Sequence, residues 1–149
     1  MSDLRELYQQ VIIDHSRHPR NCKAMEHATC SMDGFNPLCG DKVKLYLKLN
    51  GDKIEDLSFE GSGCAISTAS VSMLTEMLKG KTKTEALTLF EKFHTLVTGE
   101  SNEKDNETLG KLMVFKGVQE FPMRVKCATL SWHTLKAALE NKQEPVSTE

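Results

Sequence analysis

Residues 43–49 read Val-Lys-Leu-Tyr-Leu-Lys-Leu, a strict alternation of apolar and polar side chains. Only an extended strand places such a pattern on two faces, so Val43, Leu45, Leu47 and Leu49 are expected to bury while Lys44, Tyr46 and Lys48 face water. Asn50-Gly51 follows at once and suits a tight hairpin turn. The chain is expected to return as a second antiparallel strand over 53–60, with Leu57 and Phe59 inward. Ile54 is out of step with them, which predicts a bulge or a shorter strand.

Around this hairpin the remaining pattern is helical. Leu4, Leu7, Tyr8, Val11, Ile12 and His15 recur at helical spacing over 3–17, with Asp3 and Glu6 as a capping box and Pro19 as the stop. Residues 20–42 read as irregular, with a short strand at 28–32 and turn signals at Asp33-Gly34 and Asn36-Pro37. A helix over 64–79 has Ile66, Ala69, Met73, Leu74 and Met77 on its apolar side and ends at Gly80. A second over 83–97 opens on the capping box Thr82/Glu85 and buries Ala86, Leu89, Phe90, Phe93 and Val97. Residues 99–108 are a polar loop, and Leu109–Val118 a short helix. Pro122 starts the last helix, with Ala128, Trp132, Leu135 and Leu139 as its buried stripe. The fold expected is α+β: a small antiparallel sheet of about three strands with helices on one face, in one domain over 1–142, followed by a polar, frayed tail at 143–149.

Composition removes several classes. A net charge of −2 over 149 residues leaves no basic face for nucleic acid. No apolar run reaches membrane-spanning length, and the amphipathic start is unlike a signal peptide, so the expected compartment is the cytoplasm. Five cysteines without a tight spacing framework argue for metal or catalytic use over a disulfide scaffold.

Three of those cysteines stand where a thiolate is favoured. Cys39 lies in the loop Asn36-Pro37-Leu38-Cys39-Gly40-Asp41, stiffened on one side by proline and freed on the other by glycine. Cys64 ends Gly61-Ser62-Gly63-Cys64 at a helix start, where the first amides favour an anion. Cys127 follows Arg124-Val125-Lys126, near the start of the last helix, where Lys126 is either plain solvated charge or a cation that stabilises the thiolate. With the Asp41 carboxylate these make a four-ligand set that suits tetrahedral zinc, and sulfur ligands equally suit an iron–sulfur cluster. There is no Cys-x-x-Cys pair and the segments are far apart, so this is no zinc finger. Three buried packing cysteines remain open on spacing alone. Cys22 and Cys30 match no ligand pattern. His15 and His18, three apart, are read as packing or capping groups, His27, His94 and His133 as surface or helix-face residues, and Trp132 as a core anchor.

Four stretches in order carry a resemblance. They are Tyr8-Gln9-Gln10-Val11-Ile12-Ile13-Asp14-His15 with Pro19-Arg20-Asn21, then Asn36 to Asp41, then Phe59-Glu60-Gly61-Ser62-Gly63-Cys64-Ala65-Ile66-Ser67, then Val125-Lys126-Cys127-Ala128-Thr129-Leu130-Ser131-Trp132. From Leu7 to about Leu139 the chain resembles the SufU branch of the IscU/NifU-N family of iron–sulfur assembly proteins. The resemblance implies a compact α+β fold with a metal site at one exposed end, held by Cys39, Asp41, Cys64 and Cys127. Lys126 stands where IscU-type chains carry a histidine. Glu120-Phe121-Pro122-Met123-Arg124 replaces their Leu-Pro-Pro-Val-Lys chaperone motif, which argues against dependence on a dedicated Hsp70-type chaperone. These departures and the polar insertion favour the SufU type.

That type implies a zinc-dependent sulfur acceptor for a pyridoxal-phosphate cysteine desulfurase of the SufS kind, with Cys39 accepting persulfide sulfur. It would be a sulfur-transfer protein rather than a stand-alone enzyme, passing sulfur to downstream iron–sulfur assembly or acceptor proteins. The alternative is a scaffold that assembles a transient iron–sulfur cluster on Cys39, Cys64 and Cys127 and hands it over. A third reading is a structural zinc-binding interaction module.

Overall fold

A computed structural model describes residues 2–99, 108–140 and 144–147. Helix α1 (Ser2–Arg17) leads into strands β1 (Cys30–Asn36), β2 (Asp41–Asn50) and β3 (Lys53–Ser62). Helices α2 (Ala65–Leu78) and α3 (Lys83–Thr98) follow, then a 3₁₀ segment (Gly110–Glu120), helix α4 (Pro122–Leu139) and the short strand β4 (Val146–Ser147). The sheet order is β3-β2-β1-β4, with β1–β2 and β2–β3 antiparallel and β1–β4 parallel. The fold is α+β as expected, with four strands instead of about three. Val146 and Ser147, read as part of a frayed tail, pair with Gly34 and Phe35.

The hairpin follows the alternation. Val43, Leu45 and Leu47 are buried, and Lys42, Lys44 and Lys48 are exposed. The expected bulge lies opposite Lys48 and Leu49: Lys48 pairs with Asp56 and Leu49 with Ile54, so Glu55 is the extra residue. The bulge restores the pleat, and Ile54 is fully buried with Leu57 and Phe59.

Strand β1 departs furthest from expectation. Asp33-Gly34, read as a turn, is mid-strand, because the whole of Cys30–Asn36 pairs with β2. Gly34 has a packing reason: a Cβ there would collide with Thr134 Oγ1 and crowd Leu130 of α4. The glycine lets α4 lie close across β1. Cys127, Leu130 and Thr134, spaced along one side of α4, therefore run over the sheet, and Cys127 falls beside Asn36 at the end of β1.

Helix α2 is buried on nearly every side, including Ser67, Ser70, Ser72 and Thr75, as it lies between β3, α1 and α4. Its small residues permit that close approach, and Met77, expected inside, is only partly buried. Helix α3 carries the expected capping box between Thr82 and Glu85 and ends on Gly99, whose φ of 85° suits glycine. The segment after Leu109 winds as a 3₁₀ helix. Trp132 is fully buried, stacks on Phe93 at 4.9 Å between centroids and donates its indole N–H to Ser70 Oγ at 3.1 Å. His94 and His133, read as surface or helix-face residues, are half-buried on helix faces between α3 and α4, 5.8 Å apart between ring centroids. Leu7, expected on the buried face of α1, is exposed. The Asp3 side chain of the expected capping box, and residues 100–107 of the polar loop expected over 99–108, lie outside what is described.

Candidate metal centre

The four expected ligands come from three junctions of the fold. Asn36 and Asp41 pair at the end of the β1–β2 hairpin, so residues 37–40 form its loop. Cys39 is exposed on that loop, next to Gly40 at φ 72°, and its N–H reaches Asn36 O at a long 3.3 Å. Asp41, opposite, is 1% exposed.

Cys64 is the N-cap of α2, in extended conformation, with its sulfur accepting the Ser67 N–H at 3.4 Å. Its own N–H donates to Asp41 Oδ1 at 2.9 Å. Gly63 makes this possible, since a Cβ there would collide with Asp41 Oδ1. The backbone before Cys64 must pass directly over the carboxylate.

Cys127 is 3% exposed and lies well inside α4, which starts at Pro122. It is not in the first turn, so free helical amides do not favour its anion. Burial pushes its thiol well up from the ordinary value, and contacts with Asp41, Cys39 and Cys64 push it further the same way. Lys126, left open between solvated charge and a tuning role, is not among the groups that shift it. The Arg124 guanidinium lies 4.3 Å over the Phe121 ring.

One ligand atom each from Cys39, Asp41 and Cys127 lie within 4.8 Å of one another. Cys64 is outside that triangle, though it is among the groups that raise the Cys127 thiol. Its cap bond to Ser67 draws the sulfur toward the start of α2. The chemistry of the set fits a thiophilic cation. Two sulfurs and a carboxylate crowd together with a third sulfur outside the triangle, and the buried thiol resists ionisation unless positive charge is added. A coordinated cation supplies that charge and deprotonates the thiol outright.

Asn36 went unrecognised as a site residue. It is fully buried, and its Nδ2 donates to Asp41 Oδ2 at 3.1 Å and to Cys127 Sγ at 3.5 Å. Its place on the inward face of β1, two residues beyond Gly34, would have revealed it had the strand been read to full length.

The remaining candidates lie elsewhere. His15 is buried in the α1–α2 contact, with Nδ1 paired to Ser72 Oγ at 2.8 Å and Nε2 3.9 Å from Glu76. The Arg20 N–H donates to the same Ser72 oxygen at 2.8 Å, so His15 is a packing group that pins α1. Burial, then the charge of Arg20, hold its pKa below the usual histidine value. His18 and Cys22 are exposed, and Cys30 is half-buried at the start of β1.

This arrangement, a hairpin loop, a helix cap and a second helix meeting at one sulfur-rich corner, defines a class of α+β domain with a candidate metal site. The chain matches the model of the NifU-like N-terminal domain over residues 7–141 and belongs to that family. It is 42% identical to the zinc-dependent sulfurtransferase SufU of Bacillus subtilis, over 95% of each chain. It is 43% identical to the iron–sulfur cluster assembly scaffold protein IscU of Streptococcus pyogenes, over 94% of this chain and 87% of that one. Among solved structures, a candidate iron–sulfur cluster assembly scaffold protein for the SUF system from Fervidobacterium islandicum superposes with a TM-score of 0.81. It is 42% identical, and the match covers 87% of this chain and 94% of that one. The N-terminal part of a NifU-like protein from Brucella abortus shares the fold at a TM-score of 0.80 and 17% identity, covering 92% and 94%. Among the described residues no helix is long and apolar enough to cross a membrane.

Proposed function

We propose that this chain is a zinc-dependent sulfur acceptor in iron–sulfur cluster assembly, taking sulfur from a cysteine desulfurase through Cys39. The observation that carries the reading is the unequal seating of the thiols. Cys127 is buried in a helix and Cys64 caps another, whereas Cys39 is exposed on a short loop beside a glycine. The identity to a zinc-dependent sulfurtransferase across nearly the whole chain supports it.

Cys39, Asp41, Cys64 and Cys127 would hold the ion. When bound, zinc supplies positive charge that keeps its thiol ligands deprotonated at neutral pH. The Cys39 thiolate attacks the outer sulfur of a persulfide on the desulfurase. A new sulfur–sulfur bond forms on Cys39 as the partner's bond breaks, and the partner's cysteine leaves as a thiolate. The hairpin loop moves Cys39 outward for this step, with Gly40 yielding. Asp41, fixed by Asn36 and by the Cys64 N–H, stays in place. The donor would be a SufS-like, pyridoxal-phosphate enzyme, and the setting the cytoplasm.

A second reading, a scaffold for a transient iron–sulfur cluster, rests on the same sulfur donors and on the relatives named IscU. Anaerobic purification followed by metal and acid-labile sulfide analysis separates the two. About one zinc per chain without sulfide, and persulfide mass added at Cys39 on mixing with a SufS-type desulfurase and L-cysteine, is the expected result. Iron with matching sulfide that transfers to an apo-acceptor would replace relay by scaffold. A closed structural zinc site would leave all three thiols unreactive to alkylation.

A further inference from the structure

Asn36 occupies an unusual position among the groups at the centre. It is wholly buried, ends β1, and is held by pairing with Asp41 across the hairpin. Its amide nitrogen donates to Asp41 Oδ2 and to Cys127 Sγ, at 3.1 and 3.5 Å. Its Oδ1 has no hydrogen-bond partner among the described residues. A buried amide that leaves its acceptor unpaired carries a cost of roughly 1–3 kcal/mol. A side chain of the same shape without polar atoms would avoid that cost, so packing alone does not explain an asparagine here.

We propose that Asn36 is the positioning residue that keeps the ion in place while Cys39 is away from it. The inference rests on the sulfur-acceptor reading and deepens it. The amide joins Asp41 to Cys127, and the Cys64 N–H joins Asp41 Oδ1 to the start of α2. Three of the four donors are thereby cross-braced around one carboxylate. The amide makes no such bond to Cys39, which has the long main-chain bond to Asn36 O and its thiol contact with Cys127. Asn36 thus makes the departure of one ligand separable from loss of the metal. Without its two donations, Asp41 and Cys127 would be free to turn independently once Cys39 left.

The test is stepwise alkylation of the zinc-loaded protein by iodoacetamide. Modified cysteines are mapped by mass spectrometry, and released zinc is read with a metallochromic indicator. Asn36→Leu keeps the branched shape, with bulkier methyl ends, and removes the donors; Asn36→Ser is a smaller second variant whose single hydroxyl cannot span both acceptors. Cobalt-loaded samples report ligand geometry through their sulfur-to-metal charge-transfer bands, and circular dichroism reports folding. The parent is expected to take its first label at Cys39 and retain zinc. Both variants are expected to release zinc with that first label, at least about 10-fold faster, and to show altered cobalt bands, since removing such supporting bonds costs about 10–100-fold in affinity. Variants that fold and retain zinc as the parent does would overturn the role of Asn36 and leave the sulfur-acceptor reading intact. A parent that loses zinc at the first Cys39 label would also overturn it. A parent that binds no zinc at all would overturn both.

Discussion

Gly63→Ala tests how the centre is built without touching a ligand. A Cβ at position 63 would collide with Asp41 Oδ1, and would also lie 3.1 Å from Cγ and 3.2 Å from Cα of the same residue. The strand end and the helix cap are both fixed by their own bonds, so the carboxylate must turn. Turning it breaks the 2.9 Å bond from the Cys64 N–H. A hydrogen bond to a charged group is worth about 1.5–3 kcal/mol, and forcing extra volume into a packed site costs about 1–3 kcal/mol. The two are not additive, because movement that relieves the collision is the movement that breaks the bond. The expected loss is therefore about 2–4 kcal/mol. At about 2–4 °C per kcal/mol for a chain of this size, the melting temperature should fall by about 4–16 °C. Thermal unfolding of the metal-free protein, followed by circular dichroism, measures this term free of the ion. The zinc-loaded variant should in addition lose metal faster to a chelator. A metal-free Gly63→Ala protein that melts within 1 °C of the parent would refute the reasoning, since it would mean that the backbone before Cys64 does not press on Asp41.

Other predictions follow from separate parts of the fold. Gly34→Ala should cost about 1–3 kcal/mol through collision with Thr134 Oγ1 and lift α4 from β1; loss of the ordered Trp132 near-ultraviolet dichroism would report it. Asp41→Ala should weaken zinc retention and sulfur acceptance together, and a variant that keeps both would remove Asp41 from the ligand set. Thr82→Ala should cost about 0.5–2 kcal/mol by undoing the α3 capping box, read by urea titration with no change in zinc content. Burial, then His94 and Lys136, hold the His133 pKa below its ordinary value. The unfolded chain thus binds more protons near neutral pH, so stability is full above about pH 6.5 and falls as pH drops toward the depressed folded value. His133→Gln should flatten that slope below about pH 6.5; an unchanged slope in urea midpoints would rule the residue out.

Most of the fold was legible because its strongest signals are local. The alternation over 43–49, the Thr82/Glu85 box and Pro122 each fix an element from a few neighbouring residues, and each element stands where they put it. The full length of β1 was not legible, because its evidence is tertiary. Asp33-Gly34 has turn chemistry, yet pairing with β2 overrides it and the glycine serves the approach of α4. The same limit hid Asn36, whose part depends on a contact with Cys127 across 91 positions. Motifs and resemblance named Cys39, Asp41, Cys64 and Cys127, but not how differently they are seated. Cys127 reads as lying near the start of the last helix, and α4 does start at Pro122, but the cysteine stands in its second turn and is buried, where desolvation opposes the anion.

That difference in seating bears on how one corner of a fold can hold a metal and still offer a thiol. A thiol held by buried structure has few neighbours that can move, and its ionisation depends on a cation. A thiol on a loop is free to move but has less to retain it. Here Asp41 stands between the two conditions. It is the first residue of a long strand, buried, and accepts one donor on each oxygen from different elements. The loop that bears Cys39 leaves β1 at Asn36 and rejoins β2 at Asp41, so it can swing about two fixed residues without altering the strand pairing behind them. Gly40, with φ 72° and no atom within 4 Å of where a Cβ would be, supplies freedom at one end of that swing, and Pro37 limits it at the other. Such a swing would involve residues 37–40 alone, since Asp41 starts β2, Cys64 caps α2 and Cys127 lies within α4. On the proposed sulfur-acceptor function, that arrangement lets one sulfur ligand leave at a time, which is the requirement for passing sulfur on without surrendering the ion.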